Sequence, residues 1–315
     1  MPEEIIRPLT VGDLRYAYRV MPQPDAVTEP VVVFGGALQG MFGWPQMEDR
    51  LAPVADLVTA DLPGMGTGSL CPADENGEVL HTAVARIVED LGVPRVNLFG
   101  YSYGAVLAFR QAQRYPQSVA RLVLGGMPCA LTEDQYSGLR RAADILAAGR
   151  AEEFAALAAD SMICLDEERA VRHRHLVHRY VRRSLLHAAR HSPHMANALG
   201  RTLTNRLGLD HGLTGVPTLA FAGEHDTVVP PATQRAFAAT IEGSRFATIA
   251  ESDHWVIMER AEDVADLTLR FFTDQPLHPA SYLTSPPSER HDRPGPAPAA
   301  GTVPAPRRPV SRPSP

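Results

Sequence analysis

The spacing of apolar positions changes twice along the chain, and the changes divide it. In the first part, short unbroken or alternating apolar runs give way to longer stretches with apolar residues every three or four positions. Residues 5–10 and 14–20 read as two short strands around the turn Val11-Gly12-Asp13. Pro30-Val31-Val32-Val33-Phe34 has no polar position, the pattern of a strand buried on both faces. Residues 56–60, 96–99 and 121–124 read as further strands. Between them, residues 44–51 and 81–91 have helical spacing, with Val84, Ile87, Val88 and Leu91 on one face. Strands and helices alternating at these lengths predict a mainly parallel sheet with helices on both faces.

From 131 to 209 no strand-like run occurs. Helical patterns follow one another over 133–148, 151–163, 167–190 and 193–207, which predicts an all-helical lid inserted into the sheet domain. Alternation then resumes with a strand at 216–222, a helix at 232–241, a strand at 245–249 and a helix at 261–272. Twelve of the last forty residues are proline. A segment of that composition buries too little apolar surface to fold, so 275–315 is expected to be a disordered tail. The expected organisation is a core of 1–130 and 210–274, a lid of 131–209, and the tail.

Composition narrows the function. With 315 residues and 44% hydrophobic content there is material for one large α/β domain with an insertion. A net charge of −6 argues against nucleic acid as the main partner. No apolar run reaches 18 residues, so no membrane span is expected. The acidic start of the chain lacks a signal-peptide pattern. Cys71, Cys129 and Cys164 are widely spaced and odd in number, which reads as free thiols in a reducing cytoplasm. All 30 basic residues are arginine, which removes Schiff-base, pyridoxal-phosphate and Walker-type chemistry. No Gly-x-Gly-x-x-Gly follows a strand and no His-Glu-x-x-His occurs, so no cofactor is expected. The lid holds six of the 12 histidines. His175 and His178, and His187 and His191, have helical ligand spacing, but no carboxylate neighbours either pair in the sequence, so no metal is expected either. The run Arg172, His173, Arg174, His175, His178, Arg179, Arg182 and Arg183 reads as a solvated helix face, or as a basic rim for an acidic substrate or carrier.

The stretch that carries chemistry is Gly100-Tyr101-Ser102-Tyr103-Gly104. It follows the strand at 96–99 and opens a helix at Ala105, so a serine stands at the apex of a sharp strand–turn–helix. A serine hydroxyl needs a base within hydrogen-bond reach, and the base needs an orienting acid. Asp226 lies at the carboxyl end of the strand at 216–222, and His254 just past the strand at 245–249. In a parallel sheet these ends share one edge with the turn, and the order Ser102, Asp226, His254 is nucleophile, acid, base. Asp253 and Glu224 compete as acid and His225 as base; Asp61 reads as an anchor for its own turn. Oxyanion donors are expected from the backbone N–H of Tyr103 and from the glycine loop at 35–40, where Ala37 is first choice and Leu38 next. Leu38, Trp44, Tyr101, Trp255 and Phe42 are candidates for an acyl pocket, with core packing the equal alternative for the aromatics. In the lid, Phe154, Leu157, Met162, Ile163, Met195 and Leu199 are candidates to hold an apolar chain.

These segments, Gly35-Gly36-Ala37 to Trp44, Asp61-Leu62-Pro63-Gly64-Met65-Gly66-Thr67-Gly68-Ser69, the serine turn, Gly223 to Pro230, and Asp253-His254, together resemble the α/β-hydrolase superfamily over roughly residues 5–273. The resemblance implies an eight-stranded sheet, with the triad and oxyanion donors at the positions given above. The chain departs from the family in having Gly35-Gly36 where His-Gly is common. A looser similarity is to the hydroxyacyl-alkanoate synthases that make rhamnolipid precursors, which implies acyl transfer as an alternative. The expectation is a serine hydrolase acting on an ester, thioester or lactone. The alternatives are an acyltransferase using the same triad and a non-catalytic binding protein on the same scaffold. The expected partner is a small-molecule or acyl-carrier-linked acyl substrate.

Overall fold

The computed structural model describes residues 3–37, 39–75, 77–205, 209 and 212–284. In chain order the strands are β1 (Ile5–Val11), β2 (Leu14–Met21), β3 (Val31–Phe34), β4 (Leu57–Asp61), β5 (Val96–Tyr101), β6 (Val119–Gly125), β7 (Thr218–Gly223) and β8 (Arg245–Ile249). They form one eight-stranded sheet in the order β1-β2-β4-β3-β5-β6-β7-β8. The β1–β2 and β2–β4 pairings are antiparallel and all later ones parallel. The carboxyl ends of β3 to β8 therefore lie along one edge, and the loops leaving them face each other.

The two-residue alternation of strands sorts the core into two layers. Val32, Phe34, Leu98 and Leu124 face one side, with Leu80, Ile87, Leu107 and Phe109 from α2 (Glu78–Asp90) and α3 (Tyr103–Arg114) packed on them. Val31, Val33, Phe99, Tyr101 and Phe221 face the other side. There they meet Trp44, Met47 and Leu51 at α1 (Pro45–Leu51) and Val264, Leu267 and Phe271 of α10 (Ala261–Phe272). Every residue of β3 and β5 is buried, as strands covered on both faces require.

Between β6 and β7 the chain forms α4 (Glu133–Ala147), α5 (Ala151–Met162), α6 (Arg174–His191) and α7 (His194–Thr204). Thr132 starts the insertion with a reciprocal capping box to Gln135. The four helices share a core of their own, including Ile145, Phe154, Ile163, Val177, Val181, Leu185 and Met195. α7 docks on the loop after β4. The buried Arg201 donates to the carbonyls of Cys71 and Pro72, and Asn205 to that of Glu75. α8 (Pro231–Ala238) and the short α9 (Val256–Glu259) follow β7 and β8.

Most boundaries differ from those read in the sequence by a few residues, and two by more. The expected helix at 167–190 begins only at Arg174. Arg172 N–H instead bonds the Glu251 carbonyl at 2.8 Å, and the Arg174 guanidinium takes the carbonyls of Asp166 and Arg169, which bends the preceding residues into turns. The start of the tail also moves. Residues 275–284 lie against the body, with Leu277 and Tyr282 buried, Tyr282 Oη on Asp266 at 2.7 Å, and Leu283 bridged to Ile249. The rest of the expected tail, 285–315, lies outside the described residues. No helix among the described residues is long and apolar enough to cross a membrane.

Candidate active site

Ser102 links β5 to α3 with φ +51° and ψ −120°, a region that non-glycine residues rarely occupy. The turn is held from both sides: Ser102 N–H bonds the Gly125 carbonyl on β6 at 2.8 Å, and Ala105 N–H bonds the Ser102 carbonyl at 2.9 Å. The flanking glycines have a steric cause. A Cβ at Gly104 would sit on the Phe34 carbonyl of β3, and one at Gly100 would come within 2.5 Å of the Ala105 Cα. A side chain at either position would push α3 off the sheet.

Two loops from neighbouring strands complete the arrangement. Ser102 Oγ lies 3.2 Å from His254 Nε2. His254 Nδ1 lies 3.1 and 3.2 Å from the two oxygens of Asp226. Asp226 is buried and held on three sides: Oδ1 accepts the N–H groups of Val228 and Val229 at 2.9 Å each, and Oδ2 accepts Gln234 Nε2 at 3.1 Å. The His254 carbonyl accepts the buried Tyr101 hydroxyl, which fixes the histidine loop to the end of β5. Burial pulls the His254 pKa down. The Asp226 charge, its hydrogen bond and the Asp253 charge outweigh this, and the net shift is upward. The site therefore has a hydroxyl, an imidazole able to take its proton, and a fixed anion behind the imidazole.

The competing residues fall elsewhere. Asp253 is fully buried but turned away, accepting Cys164 N–H at 2.7 Å and Trp255 N–H at 2.8 Å. Glu224 accepts Glu251 N–H at 3.0 Å and faces His225 at 3.7 Å, so that pair is engaged with itself. Asp61 anchors its own turn, accepting Met41 N–H and the N–H and hydroxyl of Thr67.

Around the hydroxyl, Tyr103 is the first residue of α3, so its N–H belongs to the unpaired first turn of a helix. A Cβ built on Gly36 would be 3.6 Å from the Ser102 Cβ, so the glycine loop runs beside the serine. Gly36 N–H is taken by Gln39 Oε1 at 3.0 Å, and Gln39 N–H bonds the Gly36 carbonyl at 3.0 Å. The exposed Ala37 stands at the tip of this small turn. Leu38 lies outside the described residues.

Most of the expected pocket aromatics have other duties. Trp44 is core, packed edge-on against Phe99 at 5.9 Å. Tyr101 is 2% exposed and supports His254 through its hydroxyl. Phe42 is exposed beneath the Arg19 guanidinium. Trp255 packs against the core of the helical insertion. Phe154, Ile163 and Met195 are buried within that same core, while Leu157, Met162 and Leu199 are only partly buried. Among the lid histidines His178 pairs with Asp160 at 2.8 Å and His187 meets His191 at a 49° tilt, and no group of three or more His, Cys, Asp or Glu suited to a metal occurs among the described residues. Gln234 had no signal in the sequence. It bridges Asp226 to the β6–α4 connection, its Oε1 accepting Met127 N–H at 3.0 Å.

Comparison with known proteins bears on the family and the fold. The profile of the alpha/beta hydrolase fold family matches residues 29–261. The chain is 29% identical over 103 residues to a 2-hydroxy-6-oxo-6-phenylhexa-2,4-dienoate hydrolase of Comamonas testosteroni, covering 31% of this chain and 36% of that one. That match spans about a third of the relative's length. A longer match, 25% identical over 293 residues and covering 84% of this chain and 97% of the other, is to a putative 2-succinyl-6-hydroxy-2,4-cyclohexadiene-1-carboxylate synthase of Bacillus subtilis. Among solved structures, the enol-lactonase of Burkholderia xenovorans LB400 superposes with a TM-score of 0.70 at 19% identity, covering 85% of this chain and 100% of that one. At that identity the likeness is one of fold.

Proposed function

The chain belongs to the α/β-hydrolase family, and from that premise we propose that it is a serine hydrolase cleaving an ester, thioester or lactone through an acyl-enzyme. The observation that carries this reading is the series Ser102 Oγ, His254 and Asp226, joined at 3.2 and 3.1 Å. His254 takes the hydroxyl proton as Ser102 attacks the carbonyl, and Asp226 stabilises the imidazolium that forms. The N–H groups of Tyr103 and Ala37 receive the oxyanion, each worth roughly a hundredfold or more in rate. His254 then returns its proton to the leaving group. A water activated by the same imidazole releases the acid.

The helices α4–α7 act as the lid over this edge and select the acyl group. Its apolar lining comes from partly buried positions such as Leu157, Met162 and Leu199, because Phe154 and Ile163 are spent on the insertion's own core. Each methylene accommodated there is worth about 0.8 kcal/mol, so chain-length preference is steep until the space is full. The substrate is a small molecule or an acyl group on a carrier. A second, non-hydrolytic reading rests on one observation: the Bacillus subtilis relative that aligns along nearly its whole length is named as a synthase.

The test is turnover of a series of p-nitrophenyl esters, acyl thioesters, lactones and a 2-hydroxy-6-oxo-dienoate, with Ser102→Ala alongside and products identified by mass spectrometry. Free acid from an ester, thioester or lactone, lost in the variant, supports the hydrolase. A dimeric hydroxyacyl ester as main product from a 3-hydroxyacyl thioester overturns it in favour of acyl transfer.

A further inference from the structure

Next to His254 in the chain, and separate from Asp226, lies a second pair of buried acids. Asp253 is fully buried and Glu259 is 4% exposed. Asp253 Oδ2 accepts the N–H of Cys164, the residue that leads out of α5 in the insertion, at 2.7 Å. Its other oxygen accepts Trp255 N–H at 2.8 Å. Glu259, on α9, accepts the Asp253 N–H through Oε2 at 2.7 Å. Its Oε1 is buried with no hydrogen-bond donor on it. Two neighbouring buried carboxylates, one with an oxygen that no donor reaches, resist ionising together, so the pair retains one proton.

We propose that Asp253 and Glu259 are a positioning pair: they share one proton, clamp the His254 loop to the helical insertion at Cys164, and hold a second negative charge near the imidazole. The assignment of roles to His254 rests on the triad reading above; the clamp does not. Asp253 is the better hydrogen-bonded partner: burial raises its pKa, but two backbone N–H groups and His254 oppose that, so it carries the charge. Glu259 keeps the proton. Burial and the facing Asp253 raise its pKa to about 9. The other titratable or charged groups near the pair are His254, Asp226, Arg174 at the start of α6 and the neutral Tyr101 phenol. Arg174 opposes the shift of Glu259 and donates to the carbonyls of Asp166 and Arg169. At the rim, Arg172 and Arg260 share Glu251.

The clamp makes a signed prediction. In the folded protein Glu259 holds its proton up to about pH 9, whereas in the unfolded chain it loses it in the ordinary carboxylate range. Across that window the folded state binds more protons, so this group's contribution to stability falls as pH rises. Glu259→Gln mimics the protonated acid and removes the dependence.

The experiment measures thermal midpoints from pH 5 to 9 for wild type, Glu259→Gln, Glu259→Leu and Asp253→Asn. It adds the His254 imidazole titration by NMR, with the resonance assigned through His254→Gln. The midpoint of Glu259→Gln should rise relative to wild type as pH rises, and that of Glu259→Leu should lie below Glu259→Gln throughout. In Asp253→Asn the His254 titration should move down by roughly one unit, since a favourable charge has been removed. Equal midpoint profiles for wild type and Glu259→Gln would overturn the shared proton. An unmoved imidazole titration in folded Asp253→Asn would overturn the second charge. If Asp253→Asn does not fold, the two Glu259 variants decide the clamp. None of these readouts depends on turnover, so an inactive wild type would sink the triad reading and leave the clamp standing or falling separately.

Discussion

His254 has one buried carboxylate against its ring and another beside it in the chain, and only the first meets the ring nitrogen. Asp226 and Asp253 are both at least 96% buried. Each accepts two backbone N–H groups. Yet only Asp226 has its oxygens within 3.1–3.2 Å of the ring nitrogen. Asp253 adjoins the histidine in sequence, and its side chain is sent the other way, into the seam with the insertion. Burial and hydrogen bonding alone would not distinguish an orienting acid from a structural one. What separates them is that Asp226 comes from the neighbouring strand, 28 residues away, and meets the ring across the loop.

The largest effect that could break this comparison is Asp226→Asn. Amide for carboxylate keeps the shape but favours the wrong tautomer of His254, and kcat on the best ester should fall by about 10⁴-fold. An Asp253→Asn loss of that size with Asp226→Asn near wild type would exchange the two assignments. Gln234→Leu is next. It takes one donor off the Asp226 carboxylate and leaves the charge in place, so kcat/KM should drop about tenfold, with KM little changed; no drop would mean that the two backbone donors hold Asp226 unaided. The pH profile sharpens the comparison further. The base must be neutral to accept the serine proton, and its pKa is shifted upward. The acid limb of kcat/KM should therefore fall above the ordinary histidine value near 6.5, with activity lost as pH drops through it. An acid limb below 6.5 would show that burial outweighs the two anions. The smallest effect is that of Asp253→Asn on the plateau well above that limb, where kcat/KM should stay within about threefold.

The edge of the sheet was legible because its signals are local. The apolar run at β3, the glycines imposed by the serine turn and the loops after β7 and β8 each follow from a few adjacent residues, and the strand at 245–249 appears where its pattern puts it. Tertiary duties were not legible. Trp44 and Tyr101 have the residue types of a pocket wall, but which face of the sheet they meet depends on α1 and β7. The turn before α6 depends on Glu251, some eighty residues later. Proline-rich composition concealed Leu277 and Tyr282, two apolar anchors that suffice to lay 275–284 against β8 and α10. Gln234 is one polar residue on a short helix, and its importance exists only once Asp226 and Met127 stand beside it.

In the proposed mechanism the strained serine at the end of β5 is a nucleophile activated through His254. Mass spectrometry after treatment with a fluorophosphonate tests it without knowledge of the substrate. One adduct per chain is expected, on the peptide containing Ser102, absent from Ser102→Ala and strongly slowed in His254→Gln. Equal labelling of wild type and Ser102→Ala, or an adduct on another peptide, would contradict it.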